Sequence, residues 1–271
     1  MKKPDIEKLV NDANEIRKDV LKMLTEAGSG HTGSSLSCVE IIESLYGYKL
    51  RYDPKKPHKD DRDRFVLSKG HGCPALYATL AYHGFFSKDK LMTLRKLGSD
   101  LQGHPQLGLP GLEASTGSLG QGISIANGMA LSGKLDKKDY RVYCLLGDGE
   151  TNEGQVWEAA MTAAHYSLDN LCAIIDYNKL QIDGFLCDVM DLFSMEDKWK
   201  AFGWHVIETD GHDFNKLTDA LDKAENLKDK PTVILAHTIK GKGVSFIENK
   251  AEWHGIAPKP DELERALKEL E

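Results

Sequence analysis

The stretch that most constrains this chain is residues 141–184, RVYCLLGDGETNEGQVWEAAMTAAHYSLDNLCAIIDYNKLQIDG. Residues 143–146 are a short aliphatic and aromatic run, the pattern of a buried strand. The run ends in Gly147-Asp148-Gly149, where two glycines permit a sharp turn and a close approach of backbone to ligand. An amphipathic stretch follows, with Val156, Ala159, Ala160, Ala163 and Ala164 at helical spacing. A second apolar run, 171–175, ends in Asp176-Tyr177-Asn178. Together these make a β-α-β unit with a polar residue at the tip of each strand. Open parallel sheets bind ligands in the crevice beyond such tips.

Those tips suggest a hard divalent cation holding a diphosphate. Mg2+ takes oxygen ligands in an octahedron, one or two from carboxylates and the rest from carbonyls, water and phosphate. Asp148 offers a charged oxygen and Asn178 a neutral one. Thirty residues separate them, which one crossover helix and its loops consume. Gly-Asp-Gly alone occurs in many ordinary turns. Joined to an asparagine at this distance, each ending an apolar strand, it is far more specific.

The 271 residues are 41% hydrophobic and 28% charged, a globular composition long enough for one large domain or two small ones. A net charge of −7 sets up no basic field for nucleic acid. Five scattered cysteines, Cys38, Cys73, Cys144, Cys172 and Cys187, form no C-x-x-C pair. They read as reduced thiols of the cytoplasm. The opening MKKPDIEKLV lacks the apolar core of a signal peptide, and no run is long enough to span a bilayer.

Elsewhere the pattern alternates. Ile6, Leu9, Val10, Ala13, Ile16, Val20 and Leu24 make one stripe of a helix over 5–27, stopped by Gly28. SGHTGSS follows as a loop. Ser37 with Glu40 has the form of a capping box for a helix carrying Val39, Ile41, Ile42 and Leu45. Residues 51–64 are a solvated charged loop and 65–67 a strand. Pro74 suits the first turn of a helix reaching Tyr82. A charged helix is expected over 88–97, then an irregular piece, 98–120, with eight glycines or prolines. A loop of that length in a compact domain is usually functional. Helices are expected over 121–131, 194–202, 213–224 and 260–271, and strands over 204–208 and 232–237. Strands alternating with helices imply a mainly parallel sheet with helices on both faces.

Four histidines stand in glycine-flanked loops: His31 in GSGHTGSS, His71 in SKGHG, His104 in QGHPQ and His254 in EWHGIA. Imidazole suits proton exchange near neutrality, and glycine turns can aim it into a cleft. Zinc is the rival use, but no H-x-x-x-H or cysteine spacing supports it. Lys240, Lys242 and Gly243 follow a strand in HTIKGKGV, either as an anion-contacting nest or as an exposed charged loop. Gly128 to Lys134 has P-loop spacing, but Leu135 replaces the required Ser or Thr. Gly117, Gly120 and Gly122 invert the dinucleotide fingerprint.

GDG, some thirty residues and then DYN resemble the thiamine-diphosphate motif. GDGETNEGQVWEAA, NKLQIDG, GHTGSSLS, LSKGHG, QGHPQ, TGSLGQG and WHG resemble transketolase over nearly the whole chain. Thr32 and Ser118 stand where that family's pattern has proline. The resemblance implies that Asp148, the Asn178 side chain and the Leu180 carbonyl bind Mg2+, with Ca2+ or Mn2+ as substitutes. It implies that Gly147, Gly149 and Glu150 lie at the diphosphate of thiamine diphosphate and that Ile182 packs against the cofactor. The backbone around Gly117, Ser118 and Leu119 would support the aminopyrimidine. His31 and His104 would meet sugar hydroxyls and the two-carbon intermediate; His71 and His254 would lie near the diphosphate and the reacting carbonyl. Glu153 matches a glutamate at the subunit contact between two cofactors, although by position alone it is a first-turn helix acid.

The resemblance covers only the amino-terminal, diphosphate-binding portion of a transketolase. The glutamate that activates the cofactor, the aromatic pocket around the pyrimidine and the sugar-phosphate arginine belong to a pyrimidine-binding domain. No equivalent is found in 271 residues. The expectation is one diphosphate-binding domain over 1–271, completed by a carboxy-terminal transketolase subunit in an α2β2 assembly acting on sugar phosphates in the cytoplasm. A relative of 1-deoxyxylulose-5-phosphate synthase and a non-catalytic scaffold are the alternatives.

Overall fold

A computed structural model describes residues 3–271. The helices are α1 (Ile6–Ala27), α2 (Thr32–Leu36), α3 (Val39–Ser44), α4 (Cys73–Tyr82), α5 (Gln121–Leu135), α6 (Gly154–His165), α7 (Leu186–Met190), α8 (Met195–Ala201), α9 (Phe214–Asn226) and α10 (Pro260–Glu269). The strands are β1 (Arg64–Leu67), β2 (Val142–Gly147), β3 (Leu171–Tyr177), β4 (Leu180–Gln181), β5 (Gly184–Phe185), β6 (His205–Asp210) and β7 (Thr232–His237). Five of them form one sheet in the order β1-β2-β3-β7-β6, every pair parallel. Strands β4 and β5 make a separate two-residue hairpin.

Successive strand residues point to opposite faces, and both faces are covered. Leu67, Tyr143, Leu145 and Ile174 join a core with α1, α3, α4 and α9. Val66, Cys144, Leu146 and Ile175 join another with α5, α6 and α8. Apolar residues at consecutive positions are what a two-sided parallel sheet requires. Each wholly buried leucine or isoleucine in these layers contributes about 1.5–3 kcal/mol of transfer free energy.

Helix α1 starts where the Asp5 carboxylate accepts the Lys8 amide at 3.1 Å and stops at Gly28, which is left-handed at φ 63°. Of the expected stripe, Leu9, Ala13, Ile16, Val20 and Leu24 are buried and Ile6 is half-buried, while Val10 faces solvent. Ser194 and Asp213 cap α8 and α9 through their side chains. Helix α10 packs on α1, where Asn14 Nδ2 donates to the Leu270 carbonyl at 2.7 Å.

Three expectations fail locally. SGHTGSS is not all loop: Thr32–Leu36 is a buried helix. Ser37 caps nothing, because its own backbone is helical and its hydroxyl donates to Asp176, while Cys38 stands at the start of α3. Glu40 likewise turns to Arg17 and His212 instead of the backbone. The helix over 88–97 shrinks to a 3-10 stretch, Lys88–Thr93, since Leu94 leaves the helical region at ψ 128° and Arg95 has φ 59°.

Beyond β3 the chain presents apolar groups to water. Ile182, Phe185, Val189, Met190 and Phe193 are 46–78% exposed within twelve residues. Asn152 Nδ2 ties this unit down, donating to Gln181 Oε1 at 3.0 Å and to the Met190 carbonyl at 3.4 Å.

Candidate functional site

Because the strands are parallel, their carboxyl ends lie on one edge, and each of four adjacent strands delivers a polar side chain there. Lys69 follows β1, Asp148 follows β2, Asn178 follows β3 and Lys240 follows β7. The cleft they line has a volume of about 310 Å³. It also receives His31, His71, His104, His254, Gly117, Leu119, Gly147, Gly149, Glu150, Glu153, Leu180 and Ile182. Of the residues expected at the site, Ser118 is the exception: it is exposed and outside the lining.

Asp148 is 2% exposed. Its Oδ1 accepts the Gly149 amide at 2.7 Å and its Oδ2 the Lys179 amide. Burial, and then the neighbouring charge of Asp176, push its carboxyl up to about 7. Asn178 Oδ1 accepts the Leu180 amide at 3.1 Å. Lys179 (φ 63°) and Ile182 (φ 42°) bend this segment over the cleft in left-handed geometry. A β-branched residue there is strained by about 1–3 kcal/mol. Among the described residues no three His, Cys, Asp or Glu side chains converge as a metal site. A cation would draw instead on the Asp148 carboxylate, the Asn178 amide oxygen and the Leu180 carbonyl, with phosphate oxygens completing the shell. A buried carboxylate whose ionised form is opposed by burial and by Asp176 fits such an ion, whose charge would offset both.

Two lysines behave differently. Lys69 is buried against Asp176, which also accepts from Ser37 and Thr238. Burial opposes both charges, but the pair wins: Lys69 is raised and Asp176 lowered. Lys240 is 1% exposed, and among the described residues its Nζ has one hydrogen-bond partner, His254 Nδ1 at 2.8 Å. Burial, then the repulsion of Lys69, lowers it to about 8. A buried ammonium that forms no ion pair among the described residues fits an anionic ligand, since an unpaired buried charge is costly.

The histidines cluster. The ring centroid of His31 lies 5.2 Å from His71, 6.2 Å from His104 and 5.4 Å from His254. Burial lowers all four, with Arg95 adding to it at His31 and His104 and the lysines at His71 and His254; His31 falls to about 4 and His254 to about 3. They enter the cleft as neutral imidazoles. Gly117, at φ 147°, lets the 98–120 segment pass the His104 ring, which an added Cβ would meet at 3.1 Å. Glu150 lines the cleft but its carboxylate is engaged by Ser68 and by the amides of Gly120 (2.8 Å) and Gly147 (3.0 Å). Glu153 is exposed at the rim, at the start of α6, with no cap hydrogen bond. Lys242 faces Glu248 at 3.7 Å outside the cleft, and His237 pairs with Glu208.

Sequence patterns assign no role to Ser34, Lys69, Asn152, Gln181 or Asp176. Lys69 sits inside the SKGHG motif and Asp176 inside Asp-Tyr-Asn, so adjacency is the available signal. Their burial and pairing depend on four segments meeting, which no local pattern records.

Fold and cleft define an open parallel α/β domain with a ligand site at its strand ends. The chain belongs to the transketolase family: the family model described as "Transketolase, thiamine diphosphate binding domain" matches residues 8–270. It is 44% identical to an apulose-4-phosphate transketolase subunit of Phocaeicola vulgatus, over 98% of this chain and 94% of that one. It is 46% identical to the 6-deoxy-6-sulfo-D-fructose transketolase subunit SqwG of a Clostridium species, over 97% and 96%. Human transketolase is 45% identical over 99% of this chain but only 43% of its own length. The crystal structure of Campylobacter jejuni transketolase superposes with a TM-score of 0.93 at 32% identity, again over 98% of this chain and 43% of that one.

Proposed function

We propose that this chain is the diphosphate-binding subunit of a two-chain transketolase. With a partner carrying the pyrimidine-binding domain, it moves a two-carbon ketol unit from a ketose phosphate to an aldose phosphate. The observation that carries the reading is the presence, in one cleft, of a buried carboxylate and a buried ammonium, Asp148 and Lys240, neither of which forms an ion pair among the described residues. A metal diphosphate satisfies both at once. The match to subunit-length relatives favours two chains, and favours transketolase over a 1-deoxyxylulose-5-phosphate synthase relative.

Thiamine diphosphate, when bound, supplies the electron sink that breaking a ketose carbon–carbon bond needs. Asp148, Asn178 and the Leu180 carbonyl hold Mg2+, and Lys240 neutralises the diphosphate. Gly147, Gly149 and Glu150 shape the turn beside it. The backbone of Gly117 and Leu119 would support the pyrimidine, with Ser118 outside the lining, and Ile182 would pack against the cofactor. Neutral His31 and His104 accept hydrogen bonds from sugar hydroxyls, while His71 and His254 hold protons at the reacting carbonyl. Glu153, at the rim, faces the subunit contact. The reading carries with it one domain over 1–271, an α2β2 assembly and a cytoplasmic location. Among the described residues no helix is long and apolar enough to cross a membrane.

Calorimetry with thiamine diphosphate and Mg2+, on the wild type and Asp148→Ala, tests it. Metal-dependent binding that Asp148→Ala abolishes is expected. No binding by the wild type, even with the partner added, supports the scaffold instead. Ketol transfer by the chain alone refutes the two-chain arrangement.

A further inference from the structure

The segment that carries Lys240 is fastened from behind by three residues outside the cleft lining. Arg17, on α1, is buried; its Nε donates to the Lys242 carbonyl at 3.0 Å and its Nη2 to Glu40 Oε1. Glu40, on α3, is buried with it, and its Oε2 lies 3.1 Å from His212 Nδ1. His212, in the turn after β6, places Nε2 2.8 Å from the Ile239 amide nitrogen. A backbone N–H can only donate, so Nε2 is the bare acceptor. The proton of the neutral ring then sits on Nδ1 and is donated to Glu40, which fixes the tautomer without appeal to any titration.

The consequence lies in what is held. Ile239 N–H precedes Lys240 and Lys242 C=O follows it, so one network, buried at Arg17 and Glu40, grips the backbone on both sides of that lysine. The grip is close: a Cβ on Gly243, which has φ 94°, would meet Arg17 Cδ at 2.8 Å. Elsewhere the Gly241 amide donates to the Gly33 carbonyl at 3.0 Å and the Asn249 amide to the Lys240 carbonyl at 2.9 Å. Lys240 Nζ in turn reaches His254 Nδ1 at 2.8 Å.

We infer that Arg17, Glu40 and His212 are positioning residues that set where the Lys240 ammonium stands in the cleft. They thereby govern affinity for the anionic end of the ligand while touching none of it. The link to diphosphate rests on the proposed transketolase function; the positioning of Lys240 does not.

His212→Asn and His212→Gln separate the two halves of the ring. Asparagine keeps a donor near Nδ1 for Glu40 and loses the acceptor for Ile239, whereas glutamine keeps an acceptor near Nε2. The first readout is the rate at which an amine-reactive acylating reagent labels Lys240, followed by mass spectrometry without any cofactor. His212→Asn is expected to raise that rate tenfold or more, and His212→Gln much less. The second is calorimetry with thiamine diphosphate and Mg2+ in a double-mutant cycle with Lys240→Met. A tenfold or greater loss of affinity in His212→Asn should shrink to under threefold when Lys240 is already methionine. Wild-type labelling in both variants, or losses that simply add in the cycle, overturns the inference. Faster labelling with unchanged cofactor affinity leaves the positioning intact and refutes the diphosphate role of Lys240. Should His212→Asn fail to fold, labelling of His212→Gln against Glu40→Gln, which keeps an acceptor for His212 but discharges Arg17's partner, decides the same question: equal, wild-type rates sink it.

Discussion

Replacing Asp148 by asparagine should make the metal-free protein more stable at pH 8 and not at pH 5. The carboxyl is pushed from its ordinary value of 3.8 up to about 7 in the fold. Between those values the folded state binds more protons than the unfolded one. Stability contributed by this group therefore falls as pH rises from about 4, and levels off above 7. At about 1.4 kcal/mol per unit, the ionised carboxylate costs about 4 kcal/mol at pH 8 and about 2 at pH 5. Asparagine removes that cost but turns an NH2 toward one of the two amides, Gly149 or Lys179, that now donate to Asp148. A donor left unmatched costs about 1–3 kcal/mol. The net expectation is a gain of roughly 1–3 kcal/mol at pH 8 and little gain or a loss at pH 5. Thermal unfolding in EDTA across pH 5–8 reads it as a difference of several degrees. Equal shifts at both pH values, or a variant less stable at pH 8, would show that Asp148 is not a carboxylate waiting for a cation. Adding Mg2+ and thiamine diphosphate should reverse the order, stabilising only the wild type.

Lys69→Met leaves Asp176 charged in the interior and should cost about 3–5 kcal/mol in urea unfolding, with part of the loss restored by adding Asp176→Leu; a loss under about 1 kcal/mol would contradict the burial of this pair. Ile182→Gly relieves a left-handed β-branched residue, so the apo protein should gain about 1 kcal/mol while affinity for thiamine diphosphate falls, the two readouts moving apart. The imidazole C2–H resonances of His31 and His254 should hold their neutral positions from pH 8 down to pH 5. The unfolded chain takes up these protons first, so stability from both groups declines below about pH 6.5; a titration midpoint near 6.5 in the folded protein would refute the neutral cluster.

The unbroken apolar runs 143–146, 171–175 and 233–236 disclosed a sheet covered on both faces, because they show no alternation of apolar with polar residues. Gly-Asp-Gly and Asp-Tyr-Asn were legible as strand tips for the same reason. Ser37 misled because its spacing to Glu40 mimics a local cap, whereas both side chains answer to distant partners, Asp176 and Arg17. The segment 88–97 misled because charge pattern says nothing about Arg95, which leaves the helical region to follow the 98–120 chain. Lys240 was ambiguous for a comparable reason: it sits in a Lys- and Gly-rich turn, and its burial comes from Gly33 of α2 and from His254, both distant in sequence.

The exposure of five greasy side chains, Ile182, Phe185, Val189, Met190 and Phe193, has a practical corollary for handling the polypeptide. Apolar groups of that kind left in water promote colloidal clumping, and Ile182 among them lines the cleft. Purified without a companion, the material should lose solubility as it is concentrated. Phe193→Ser with Met190→Ser should recover it, at no expense to the interior, since neither side chain contributes to either core.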